Sequence, residues 1–397
     1  MTFLINNLDY FSTSLKNFVL NLLQIVKNHM PLQISKSKAF IAPLAALALG
    51  LAACGQQTTT TPGTGTNGSP AAQQGPSANI SGAGASFPAP LYQRWFTEYN
   101  RNVNPGVQVS YQSVGSGAGL EQYINGTVDF AASDAPIQGD RLASFKQKYN
   151  ADPIQVPMAA GAVPLAYNLP EIEGQELRLS RQAYCGIVTG QVTRWNDPLI
   201  AQANPNLNLP DREIIFARRA DGSGTTFIFV NHIDAACPNW QAGVGTSVDW
   251  PVGVGAQGNE GVAAQIQQNE GTIGYIEYAY AKLNDIPTAV LENASGQYVA
   301  ATPESAGAVF ENVEIPDDFA LLVPDPQNPE AFPIAGLTWI LVYPTYQDAN
   351  KWQAMRNVFE WSLTEGRPIA EELGYIPMPD SVVQRIRQVF DERVKAG

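Results

Sequence analysis

The stretch Ile214-Ile215-Phe216-Ala217-Arg218-Arg219-Ala220-Asp221-Gly222-Ser223-Gly224-Thr225-Thr226-Phe227-Ile228-Phe229 decides how the rest of the chain is read. Ile214 to Ala217 is a short apolar run of buried-strand type. Two arginines follow, then a glycine-spaced turn, then an apolar run of helical type. Ser223-Gly224-Thr225 therefore puts small residues with free backbone N–H groups where a helix begins. Such an end carries unpaired amides and a partial positive charge, and both favour an anion. Arg219 adds a planar fork of donors suited to a tetrahedral oxyanion, and Asp221 is close enough in sequence to hold that guanidinium. The stretch reads as an anion clamp. A plain Gly-Ser-Gly turn is the simpler alternative. The Asp-Gly-Ser-Gly-Thr string also loosely resembles an aspartyl phosphatase loop, but the second carboxylate two positions on is missing.

Two further turns of the same kind precede it. Ile80 to Gly84 begins a strand, and Ser86 with the Phe87 amide stands at its corner before a helix. The stripe Leu91, Tyr92, Trp95, Phe96 and Tyr99 marks the core face of that helix. Val107, Val109 and Tyr111 alternate as a strand does, then Gly115-Ser116-Gly117-Ala118-Gly119 opens another helix. Capping that helix and binding a ligand are both open to Ser116. Val128 to Ala132 reads as a strand ending in Ser133-Asp134-Ala135-Pro136, where Asp134 is either a turn former or a carboxylate aimed at a ligand.

Composition narrows the function. The chain has 397 residues, 45% of them hydrophobic and 15% charged, with a formal charge of −13. Residues 1–53 carry a net +3, which leaves −16 for the remainder. That balance excludes a nucleic-acid binder built on basic patches and requires any anion site to work through local donors. The two histidines, His29 and His232, are too few for a metal-dependent phosphatase, and no metal or cofactor is expected. No G-x-x-x-x-G-K-[ST] occurs, which argues against an ATPase. Gly253-Val254-Gly255-Ala256-Gln257-Gly258 formally fits G-x-G-x-x-G, but no ribose-binding acid in a βαβ setting accompanies it, so no dinucleotide site is expected.

The first 78 residues read as targeting and tether. Lys36 and Lys38 flank the apolar run Ala39 to Ala53, which is short for a membrane span. It closes on Leu51-Ala52-Ala53-Cys54-Gly55, which resembles the bacterial lipoprotein box and implies lipidation of Cys54 and export. Residues 1–53 are thus a leader and signal segment; translation starting at Met30, six residues before Lys36, and an amphipathic membrane-facing extension over residues 1–29 are both open. Residues 54–78, rich in Thr, Gly, Gln, Pro and Ser, form a flexible linker. Outside the cell the remaining pair, Cys185 and Cys237, is expected to form one disulfide.

The folded part is expected to be α/β and two-lobed, with 79–168 and 336–397 in one lobe and 169–335 in the other. The chain crosses near Asn168, and again at Phe332-Pro333-Ile334-Ala335. Two amphipathic helices close the chain, the last with Val382, Val383, Ile386, Val389, Phe390 and Val394 on one face. Ser86, Ser116, Asp134 and Thr225 all fall beyond strand carboxyl ends, the usual ligand position in open α/β sheets.

Four strings in this order resemble those of the phosphate-binding protein of the bacterial high-affinity phosphate ABC importer. They are Gly82-Ala83-Gly84-Ala85-Ser86-Phe87-Pro88-Ala89-Pro90, Gly115-Ser116-Gly117-Ala118-Gly119, Val128-Asp129-Phe130-Ala131-Ala132-Ser133-Asp134-Ala135-Pro136 and Arg218-Arg219-Ala220-Asp221-Gly222-Ser223-Gly224-Thr225. The resemblance runs over roughly 79–392. Trp250-Pro251-Val252-Gly253 and Gly274-Tyr275-Ile276-Glu277-Tyr278-Ala279-Tyr280-Ala281 add to it. It implies a type 2 periplasmic-binding-protein fold with an interlobe cleft, and a monomeric receptor that delivers phosphate to an ABC permease. Carried onto this chain, the phosphate-binding residues are Ser86, the Phe87 amide, Ser116, Asp134, Arg219, Ser223, Gly224 and Thr225, with Asp221 holding Arg219. A phosphate sensor or a secreted phosphatase-like protein of the same fold is the alternative.

Overall fold

The computed structural model describes residues 76–397. Cys54, Met30 and nearly all of the tether therefore lie outside the described residues. Two sheets organise the rest. The first half opens with β1 (Ala78–Gly84), α1 (Ala89–Asn102), β2 (Val107–Ser113), α2 (Ser116–Asn125), β3 (Phe130–Ser133), α3 (Gly139–Tyr149) and β4 (Ile154–Ala162). β1 pairs in parallel with both β2 and β3, in a register that sets Gly84 opposite Ser113 and Ala132. The three strands thus end level, and the loops leaving them share one edge.

Burial of apolar stripes holds these helices on the sheet. Leu91, Tyr92, Trp95, Phe96 and Tyr99 of α1 are all buried, as their helical spacing predicts. Each large apolar side chain so placed contributes about 1.5–3 kcal/mol. Pro90 sits in the first turn, where its missing N–H costs no helical hydrogen bond.

The second half contains β5 (Leu165–Tyr167), α4 (Arg181–Thr189), β6 (Ile215–Arg219), α5 (Gly224–Ala236), β7 (Val254–Ala256), α6 (Gly258–Gln268), β8 (Thr272–Tyr275) and α7 (Tyr278–Leu283). Its four-stranded sheet has the order β5-β8-β6-β7. The chain returns through β9 (Ala335–Val342), which lies antiparallel between β3 and β4. Three helices follow where two were expected: α8 (Ala349–Leu363), the short α9 (Arg367–Leu373) and α10 (Asp380–Arg393). On α10, Val382, Val383, Ile386 and Phe390 are buried as expected, whereas Val389 and Val394 are only partly covered.

The first crossing needs correction. Leu165 to Tyr167, expected in the first lobe, pairs antiparallel with β8 of the second sheet. The crossing therefore falls at Val163-Pro164, because a proline without an N–H interrupts strand pairing there. The Val163 N–H donates to the Ile334 carbonyl at 2.8 Å, so the outgoing and returning segments run side by side.

Cys185 and Cys237 form a disulfide with Cα atoms 5.5 Å apart. It joins α4 to the carboxyl end of α5. Among the described residues, no helix is long and apolar enough to cross a membrane.

Candidate functional site

The corners beyond β1, β2, β3, β6 and β7 converge on one closed site. Ser86, Phe87, Ser116, Asp134, Ser223 and Thr225 are 0–1% exposed and Arg219 is 2% exposed. In this form the two halves touch directly across it. The Gly117 N–H donates to the Gly222 carbonyl at 2.8 Å, and the Gly224 N–H donates to Ser116 Oγ at 3.0 Å. Such burial means that a ligand enters only when the halves separate.

Arg219 ends β6 and is positioned from two sides. Its own N–H donates to the Tyr275 hydroxyl at 3.0 Å. Tyr275 in turn is stacked on Phe229 with ring centroids 4.3 Å apart, inside a cluster with Phe216 and Trp250. The guanidinium grips Asp221 in a two-point fork, Nε to Oδ1 at 2.8 Å and Nη2 to Oδ2. This pairing and the Gly258 N–H hold the Asp221 carboxyl below its ordinary range against the opposing effect of burial. Asp221 Oδ2 also abuts the first half: a Cβ on Gly115, whose φ is +87°, would fall 2.3 Å from it. Only glycine allows the two turns to meet so closely.

Three hydroxyls share one arrangement. Ser86 Oγ accepts from the Asn259 N–H at 3.0 Å and from Asn259 Nδ2 at 2.9 Å. Ser116 Oγ accepts from the Asp134 and Gly224 N–H groups at 3.3 and 3.0 Å. Thr225 Oγ1 accepts from Arg219 Nη1 at 3.3 Å and from Asn259 Nδ2 at 2.9 Å. A hydroxyl has two acceptor lone pairs and one proton. With both lone pairs occupied by N–H donors, each proton is left to donate elsewhere. The site therefore presents three committed O–H donors.

Asp134 supplies the opposite polarity. Its Oδ1 accepts from the Thr338 hydroxyl at 2.7 Å, while Oδ2 is fully buried and has no hydrogen-bond partner. Burial lifts its titration to about 7, against the lowering effects of the Thr338 hydrogen bond and the Arg219 charge. A buried, unpartnered carboxylate oxygen is costly unless something donates to it. Three donors and one acceptor together fit an oxyanion that carries a proton.

The sequence-predicted residues come together, but two differ in detail. The Ser223 N–H goes to the Thr246 carbonyl and its Oγ accepts from the Thr226 N–H, so Ser223 caps α5 and retains only its hydroxyl proton for a ligand. The Gly224 N–H, expected to face the anion, is spent on Ser116. Conversely, Ser116 makes no capping bond to α2. Among the described residues, the Phe87 and Thr225 N–H groups donate to no protein acceptor.

Asn259 was not anticipated. It is completely buried in the first turn of α6 and touches Ser86, Thr225 and the Glu277 N–H. The signal was present: Gly253 to Gly258 is one more glycine-rich corner between a strand and a helix, like those at Ser116 and Thr225. Glu277 was named only as part of a strand end. It too is fully buried, with Oε2 accepting from the Ala279 N–H and the Tyr375 hydroxyl, and burial pushes its carboxyl well above the ordinary range.

Residues 59–365 match the model of the PBP superfamily domain. The chain is 38% identical over 322 residues to the phosphate-binding protein PstS of Pasteurella multocida, covering 80% of this chain and 91% of the relative. It is 39% identical over 330 residues to PstS of Xylella fastidiosa, covering 82% and 88%. Among solved structures it resembles a high-affinity periplasmic phosphate-binding protein determined with bound phosphate, with a TM-score of 0.67 at 22% identity, covering 79% of this chain and 94% of the other. With this last likeness the fold is that of a type 2 periplasmic-binding protein. The chain belongs to the PstS family of phosphate-binding proteins within the PBP superfamily.

Proposed function

We propose that this protein binds inorganic phosphate between its two halves and delivers it to an ABC-type importer, without catalysis. One observation carries the reading: three hydroxyls committed as donors share one closed site with a buried carboxylate oxygen, Asp134 Oδ2, that lacks a donor. Hydrogen phosphate satisfies both requirements, because it accepts at its bare oxygens and donates from its protonated one. Sulfate has no proton at neutral pH and would set lone pair against lone pair in a dry site.

Ser86, Ser116, Ser223 and Thr225 donate through hydroxyls, Phe87 and Thr225 through backbone N–H groups, and Arg219 supplies charge while Asp221 fixes its plane. Gly224 acts by holding the Ser116 hydroxyl. Each hydrogen bond to a charged oxygen contributes about 1.5–3 kcal/mol, and micromolar affinity needs only about 8 kcal/mol. The inventory suffices after desolvation and closure. Names of relatives support the ligand. Cys54 and its flanks support a lipid-anchored, exported receptor, which we take to act as a monomer on a permease in the membrane.

Calorimetric titration of the protein, stripped of anion, with phosphate and then sulfate at neutral pH tests the reading. Tight phosphate binding without a sulfate response is expected. Equal binding of both, or of neither, would overturn it.

A further inference from the structure

Asn259 makes four hydrogen bonds with no atom to spare. Its Oδ1 accepts from the Glu277 N–H at 2.9 Å, which fixes the amide the other way round: Nδ2 must face Ser86 and Thr225. The preceding N–H, from Gly258, goes to Asp221 Oδ1 at 3.2 Å, so two successive amides secure Asp221 and Ser86. Ser86 belongs to the first half, whereas Asn259, Thr225 and Glu277 belong to the second. Both N–H groups that occupy the Ser86 lone pairs come from Asn259. When the halves part, Ser86 loses both and its hydroxyl is free to turn.

We propose that Asn259 is the positioning residue that aligns the donors on closure: it turns the Ser86 and Thr225 protons toward the bound anion as the halves meet. Two neighbours brace the same corner. The Tyr280 hydroxyl donates to the Ser86 carbonyl at 2.7 Å, and the Tyr375 hydroxyl bridges the Phe87 carbonyl and Glu277 at 2.7 and 3.0 Å. Tyr375 holds the Phe87 carbonyl from within the first half, whereas the Tyr280, Glu277 and Asn259 contacts reach the corner only on closure, and Asn259 is the member that touches the donor hydroxyls. The proposal rests on phosphate being the ligand.

The test compares wild type, Asn259→Asp and Asn259→Ala by phosphate titration, stopped-flow kinetics and melting of the anion-free protein. Asn259→Asp keeps an oxygen toward Glu277 but puts a second oxygen where Nδ2 stood. That oxygen accepts both hydroxyl protons and brings a negative charge to the site, so affinity should fall by more than about 100-fold. Asn259→Ala keeps the backbone N–H on Ser86 but removes the Nδ2 donor to Ser86 and Thr225, which loosens the alignment without reversing it, and affinity should fall about tenfold. The loss should appear in dissociation rather than association, because closure follows encounter. Asn259→Ala should also lower the anion-free melting temperature, because the Glu277 N–H and the Thr225 hydroxyl lose Asn259 within the second half whether or not the halves close. Equal affinity losses in the two variants, or losses that appear in association rather than dissociation, would reduce Asn259 to a packing residue and overturn the proposal. So would wild-type affinity in Asn259→Ala, which remains informative if the aspartate variant fails to fold. Absence of phosphate binding by the wild type would instead overturn the function, and the proposal with it.

Discussion

Gly224 lies directly beneath Asp134: a Cβ added to it would fall 2.6 Å from the Asp134 Cβ, backbone nitrogen and Oδ2. The two residues come from opposite halves of the molecule, so this contact exists only when the halves close. No side chain fits there, and the Asp134 backbone atoms have nowhere to retreat within a fully buried strand end.

Gly224→Ala should therefore hold the protein open. Phosphate affinity is expected to drop by at least about 100-fold, since overpacking of a tight contact costs about 1–3 kcal/mol and the Ser116 hydroxyl also loses its seat. The anion-free melting temperature should not fall, because alanine suits the first turn of a helix better than glycine does. Scattering of the variant with saturating phosphate should give the radius of gyration of the anion-free form. Compaction like that of wild type would refute the argument.

Asp134 makes stability depend on pH in a definite direction. An unfolded aspartate titrates near 3.8, while burial raises the folded group to about 7. Between those values the folded state holds a proton that the unfolded state lacks, so stability falls as pH rises across the window and levels off above 7. The contribution is at most about 4 kcal/mol. Glu277, raised by burial as well, acts in the same direction. Melting of anion-free protein from pH 4.5 to 8 should show the decline, and Asp134→Asn should flatten part of it. An unchanged slope in that variant would remove Asp134 as a cause.

Selectivity should follow the same proton. Below pH 7 the Asp134 carboxyl becomes a donor and no longer repels an unprotonated oxyanion. Sulfate affinity is expected to rise as pH falls from 8 to 5, by up to about tenfold for each pH step until the group is protonated. Asp134→Asn should bind sulfate at pH 8 and lose most of its preference for phosphate. Competition calorimetry at the two pH values checks both statements, and pH-independent exclusion of sulfate would contradict them.

The disulfide should matter to stability and not to binding. Cys185 and Cys237 are 52 residues apart, so the link restricts the unfolded chain by about 4 kcal/mol on the loop-entropy argument. Cys237 caps the carboxyl end of α5, whose opposite end carries Gly224 and Thr225. A helix of 13 residues separates them by about 20 Å. Cys185→Ser combined with Cys237→Ser should melt several degrees lower and bind phosphate with unchanged affinity. A large affinity change would reveal coupling along α5.

The sequence by itself determined several of the elements and the corners that meet at the site, Asn259 excepted. Period-2 spacing marked β2, and helical spacing marked α1 and α10. Each glycine-rich corner announced a donor group, because small residues at a helix start expose backbone N–H groups whatever surrounds them. Such corners placed Ser116 and Thr225, strand ends placed Ser86 and Asp134, and two positions of separation suggested the pairing of Arg219 with Asp221. The crossover was misplaced by a few residues because an apolar run reads the same on either side of Val163-Pro164, and only strand pairing decides to which sheet Leu165 to Tyr167 belongs. Tertiary structure alone decided which way each hydroxyl proton points. That depends on which N–H groups occupy the lone pairs of Ser86, Ser116 and Thr225, and those donors come from residues up to 173 positions away. It also decided that Asp134 Oδ2 has no partner, since burial without a donor belongs to the assembled site and leaves no mark on any local stretch.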